Sequence, residues 1–181
     1  MESAKFWGTV MSLRLLLTAV AFFVAAAIPA NAADLTFTAQ LRGDNATTNT
    51  GSAATGEAKL VVHPTTQTVD MTLTVKGLSP ADFYDHLAHA PVGPVHLHLY
   101  QANGDSSLLL PFAMGPAYAK TSDGFSLTMA NYKYADGAKI LASDISFDGF
   151  VKDLQSGAVV LNIHTQKFQD GEISGKVQAV H

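Results

Sequence analysis

The sequence contains no cysteine. Thiol nucleophiles and thiolate metal ligands are therefore excluded, and stability must come from an ordinary hydrophobic core. Charge is also sparse, at 14% of 181 residues, and acidic groups outnumber basic ones to give a formal net charge of −4. No basic cluster of the kind that binds nucleic acid is present, so that class of partner is excluded. Arginine is nearly missing: beyond Arg14 the chain has only Arg42. No fixed-period repeat interrupts the chain, and one long apolar run occurs, near the N-terminus.

That run, Leu15 to Ile28, follows Arg14 and leads to Ala30-Asn31-Ala32, the small-x-small pattern of a signal-peptidase site. It is shorter than the roughly 20 apolar residues that cross a bilayer. The expectation is a secretory signal over residues 1–32, cleaved after Ala32, and an exported chain in the periplasm or outside the cell, without a membrane span. Met11-Ser12-Leu13-Arg14 makes a compact basic start of its own, so Met1 to Val10 reads as an upstream extension or a misplaced start. Residues 33–181 then form one domain, with nine basic against fourteen acidic residues. A chain of that length buries about 70% of its unfolded surface, and no second domain is needed.

The remaining pattern is strand-like. Leu35 to Leu41 alternates apolar and polar residues, as do Val69 to Val75, Val95 to Tyr100 and Phe125 to Met129. Ala58 to Val62 joins Val69 to Val75 through His63-Pro64-Thr65-Thr66-Gln67-Thr68 as a hairpin. Asp44 to Ser52, rich in Asn, Thr and Gly, reads as a surface connection. Ile145, Phe147, Phe150, Val151 and Leu154 recur at three- and four-residue spacings, which predicts one short helix near residues 144–154, capped at Ser143 or Asp144 and ended by Gly157. About seven short strands with one helix imply an all-β, antiparallel β-sandwich or Greek-key barrel, since a parallel α/β fold needs a helix between successive strands.

The last hairpin is the most distinctive part. Val159, Leu161 and Ile163 share one face, and Val160, Asn162 and His164 the other, so polar groups occupy a face of a strand that is otherwise apolar. The run Asn162-Ile163-His164-Thr165, then Phe168, Gly171-Glu172 and Gly175, closely resembles the ending of CHRD domains. Earlier pieces follow the same order: Phe37 to Gly43 with its Leu-x-Gly turn, Gly56-Glu57-Ala58, Val75-Lys76-Gly77-Leu78, and a His-x-His element at His96-Leu97-His98. In another register His86 or His89 takes the first histidine position. Leu99-Tyr100 stand where the family has small residues, and the segment Asp82 to Pro94 is longer than usual. The resemblance implies an exported binding or structural module of undefined ligand, with no demonstrable catalytic machinery. Asn162, Thr165, Gly171 and Glu172 are expected to be structural, with Glu172 accepting backbone hydrogen bonds.

A second reading comes from the histidines themselves. His96 and His98, two apart in a strand, can present two imidazoles to one ion, and His164 can join them from a neighbouring strand. His86 and His89, beside Asp85, are candidates to complete the shell. Neutral imidazole suits copper or zinc. On this reading the chain is a copper- or zinc-binding protein, and the competing reading is that these histidines hydrogen-bond carbonyls or face solvent. The copper–zinc superoxide dismutases also build His-x-His into a β-barrel, but the resemblance ends there: no match to their zinc loop or active-site arginine is found. Asp85 and His86 with a serine lack a nucleophile elbow, so a hydrolase triad has no support. Asp144 and Asp148 are assigned to the solvated face of the helix. Asn45-Ala46-Thr47 fits a glycosylation sequon.

Overall fold

The computed structural model describes residues 32–180. The expected signal, as far as Asn31, lies outside the described residues. Among those described, no helix is long and apolar enough to cross a membrane.

Ten strands form one antiparallel sheet curled into a half-barrel. They are β1 (Leu35–Arg42), β2 (Thr55–His63), β3 (Thr68–Lys76), β4 (Val95–Tyr100), β5 (Ser106–Phe112), β6 (Tyr118–Lys120), β7 (Gly124–Lys133), β8 (Val159–Ile163), β9 (Ile173–Lys176) and β10 (Gln178–Ala179). Their order across the sheet is β5-β4-β8-β9-β1-β2-β3-β7-β6, with β10 also paired to β1. The all-β antiparallel class expected from alternation is the fold found.

Alternation produces the core directly. Phe37, Ala39 and Leu41 of β1, Leu60 and Val62 of β2, Met71, Leu73 and Val75 of β3 and Phe125 and Leu127 of β7 all point inward and are buried. Seven of the strands match the alternating runs in the sequence. The other three, β5, β6 and β10, do not alternate over a useful length. β5 carries Leu108-Leu109-Leu110-Pro111, which reads as neither period. Its place at the edge of the sheet explains why proline is tolerated there.

Helices are short: α1 (Asp85–Ala88), α2 (Tyr134–Leu141) and α3 (Phe147–Ser156). α3 is the expected helix, displaced toward the C-terminus. Ser146, rather than Ser143 or Asp144, is its cap, accepting from the Gly149 N–H at 3.1 Å. Ser143 Oγ is engaged with the Ile145 N–H instead. Phe147, Phe150 and Leu154 form the buried stripe, and Gly157 ends the helix with φ +73°. α2 has no counterpart in the sequence reading, because Tyr-Ala-Asp-Gly-Ala-Lys offers too weak an apolar stripe. It packs closely on β5: a Cβ on Gly137 would meet Leu110 Cδ1 at 2.7 Å.

Candidate metal centre

β4 and β8 are neighbours, and their register places His96 opposite Asn162 and His98 opposite Val160. His96 and His98 therefore share a face with Val160 and Asn162, the face opposite Val159, Leu161 and Ile163. His164 continues that face one step beyond β8, held by its own N–H donating to the Pro94 carbonyl at 2.9 Å. On its other side β4 meets β5 with a register shift between Leu97 and His98, a local irregularity of the kind that re-aims side chains beside functional sites.

The three imidazoles converge. Ring centroids lie 4.5 Å apart for His96 and His164, 4.7 Å for His96 and His98, and 5.7 Å for His98 and His164. One ring nitrogen from each lies within 4.8 Å of the other two. His96 and His164 are buried, while His98 is half-buried and stacks its outer side on Tyr100.

Backbone carbonyls decide the tautomers. His96 Nδ1 lies 3.1 Å from the Gly93 carbonyl oxygen and His164 Nδ1 lies 2.6 Å from that of Gln169. A carbonyl only accepts, so in both rings Nδ1 carries the proton and the Nε2 lone pair is left free. Among the described residues, two buried side-chain nitrogens have no hydrogen-bond partner, and they are His98 Nε2 and His164 Nε2.

Burial sets the protonation state. It is the main cause that pushes His96 down to about 3, with the neighbouring His164 and His98 adding to the effect and the Gly93 hydrogen bond opposing it. Burial, then His164, lowers His98 to about 4. Burial also lowers His164, against its bond to Gln169 and the charge of Asp170. At neutral pH the cluster is three uncharged imidazoles, with one ring nitrogen of each within 4.8 Å of the others.

A loop tied down by side-chain hydrogen bonds adjoins this arrangement. Asn162, 1% exposed, donates from Nδ2 to the Asp170 carbonyl at 3.1 Å and accepts from Ser174 Oγ at 2.7 Å. Thr165 Oγ1 donates to Glu172 Oε2 and accepts from the Phe168 N–H. Glu172 Oε1 accepts from Ser52 Oγ at 2.6 Å, so this buried carboxylate joins the β1–β2 connection to the closing hairpin. Its side-chain partners are two hydroxyls, not the backbone N–H groups expected. Gly171 has φ +119°, and a Cβ there would fall 2.2 Å from Asn162 Oδ1.

His86 and His89 stand apart from the three. Both are exposed on and just after α1, and His89 Nδ1 bonds the Asp85 carbonyl at 2.9 Å. Sequence reasoning missed Gly93 and Gln169, whose contributions are main-chain carbonyls that no side chain announces. It also missed His63, which contacts Asp34 Oδ1 at 2.9 Å and Asp70 Oδ2 at 3.3 Å at the opposite end of β2.

The family model of the CHRD domain matches residues 37–177, which spans both the curled sheet and the closing hairpin. The chain belongs to the CHRD domain family. Domains of this family are typically extracellular or secreted, and membership supports a binding or structural module. No curated protein and no solved structure matches the chain. Within this CHRD domain, His96-Leu97-His98 on β4 lies directly beside Asn162-Ile163 on β8, with His164 following.

Proposed function

We propose that this CHRD domain is a binding module whose ligand is a transition-metal ion, copper or zinc, held by Nε2 of His96, His98 and His164. The observation that carries the reading is the pair of buried, unpartnered nitrogens, His98 Nε2 and His164 Nε2, in a cluster where one ring nitrogen each of His96, His98 and His164 lies within 4.8 Å of the others. An unsatisfied buried polar group costs about 1–3 kcal/mol. Two of them in one cluster, with the His164 lone pair free and no hydrogen-bond partner for either, are accounted for by a ligand that accepts electron pairs. The Gly93 and Gln169 carbonyls act as the outer partners that orient metal-binding imidazoles and raise their basicity. His86 and His89 take no part in this site.

The same proposal places the domain outside the cytoplasm, in the periplasm or beyond the cell, on the strength of Arg14, the apolar run Leu15 to Ile28 and Ala30-Asn31-Ala32. N-terminal sequencing of exported protein should begin at Ala33; a retained Leu15 to Ile28 segment would count against it. For the metal, purified exported protein should take up one equivalent of Cu or Zn. The His96→Ala/His98→Ala variant should lose that uptake, and equal binding by both would remove the site.

A further inference from the structure

We infer that the three-histidine site selects copper in its cuprous, singly charged state over Cu(II) and Zn(II). The inference rests on the metal-binding reading and adds the identity and charge of the ion. Soft thiolates are the usual means of selecting Cu(I). This chain has none, and the three ligands of the cluster are all imidazoles, so in this site the selection comes from charge and coordination number.

Charge is the first argument. The cluster is made of three imidazoles, with no carboxylate among them. The Nδ1–H groups of His96 and His164 are held by backbone carbonyls. In many zinc sites a carboxylate in that outer position lends negative charge to the ligand; a neutral carbonyl does not. Asp170, the carboxylate whose charge reaches His164, is exposed on the loop. The penalty for taking an ion out of water rises with the square of its charge, so a divalent ion meets about four times the desolvation cost of a monovalent one, with no anion in contact to offset it.

Coordination is the second argument. Zn(II) in protein sites takes four ligands, the fourth being water where the protein supplies three. Cu(II) prefers a tetragonal arrangement. Cu(I), a closed-shell ion, is content with three nitrogens in a plane. Bonds of about 2.0 Å in such a plane ask for nitrogen separations of about 3.5 Å, and the three donor atoms already lie within 4.8 Å of one another. His98 Nε2 and His164 Nε2 are shut off from solvent, which favours an ion that needs no water to complete its shell.

The test uses the full exported protein under anaerobic conditions. Cu(I) affinity is read by competition with bicinchoninate, Zn(II) affinity with a chromophoric zinc chelator, and Cu(II) affinity with glycine. The expected result is binding of Cu(I) at least about a hundredfold tighter than of either divalent ion. That preference over Cu(II) appears as a bound-copper potential about 120 mV above the aqueous couple, at 59 mV per tenfold change for one electron. His164→Gln should abolish the preference while leaving the β-sheet circular dichroism intact, and His86→Gln should leave it unchanged. Zn(II) or Cu(II) binding as tightly as Cu(I) overturns the selectivity and leaves the metal site standing. Failure of all three ions to bind overturns the metal-binding reading itself, and the selectivity with it.

Discussion

His164 donates from Nδ1 to the carbonyl of Gln169 at 2.6 Å, five residues along the same chain. That single bond settles which nitrogen of the ring is free, and it makes the orientation of His164 depend on the shape of the loop from Gln166 to Gly171. The loop is in turn held by Asn162, Thr165 and Glu172. The polar residues of the closing hairpin thus act as a frame for one imidazole.

Gly171→Ala tests the frame. The backbone there is at φ +119°, and the added methyl would collide with the Asn162 amide at 2.2 Å. Strain of this kind is of order 1–3 kcal/mol. The variant should show a lower unfolding midpoint in urea and weaker metal binding than wild type. Wild-type behaviour in both measurements would mean that the loop does not position His164.

Asn162→Leu removes two hydrogen bonds while keeping bulk. The Asp170 carbonyl and the Ser174 hydroxyl lose their partner, at an expected loss of about 1–3 kcal/mol. A chemical denaturation midpoint equal to or above that of wild type would contradict this account.

The metal-free domain should weaken in mild acid. His96 and His98 are held near 3 and 4 in the folded state, against 6.5 when exposed. Between those values the unfolded chain takes up protons that the folded chain refuses, so stability falls as pH drops from about 6.5 toward 4 and is fully present above 6.5. Urea midpoints at pH 7, 5.5 and 4.5 should decline, and the decline should be shallower in His96→Gln/His98→Gln. A flat profile in wild type would show that these rings are readily protonated in place.

His63 has the opposite sign. Its hydrogen bond to Asp34 is the chief cause of a raised pKa, burial opposes it, and Asp70 adds to it. Asp70 also accepts from the Asn131 N–H at 2.7 Å, so the cluster ties the start of β1 to the β3 and β7 pair. Stability from a raised histidine is complete below 6.5 and is lost as pH rises through the folded value. Partly exposed pairs of this kind contribute about 0.2–1 kcal/mol. An NMR titration should place the His63 imidazole above 6.5, and Asp34→Asn should bring it down; no movement in that variant would refute the assignment.

Much of this architecture follows from local pattern. Period-two alternation located β1 through β4 and β7 through β9, because in each the two faces meet different surroundings: apolar core on one side, and on the other solvent or, in β4, β8 and β9, a buried polar layer of His96, Asn162 and Ser174. Where both faces are covered by apolar groups the pattern fails, as in β5, whose Leu109, Leu110 and Phe112 are all buried. α2 escaped notice for a related reason: of its two buried residues, Tyr134 stands at the first position and Gly137 has no side chain to register in any periodicity.

The pairing of His96 with His98 on one face was determined by the sequence alone, since residues two apart in a strand must point the same way. So was the family, because the closing hairpin carries its Asn-x-His and Gly-Glu residues in order. The position of His164 beside them was decided by tertiary structure: it depends on β8 lying next to β4 across more than sixty residues of chain, a pairing that no local spacing encodes. The exclusion of His86 and His89 is of the same kind, for they are nearer to His96 in sequence than His164 is, yet α1 holds them on the surface. The free lone pairs, finally, depend on the carbonyls of Gly93 and Gln169. Every residue has a carbonyl, so only the folded backbone could select those two.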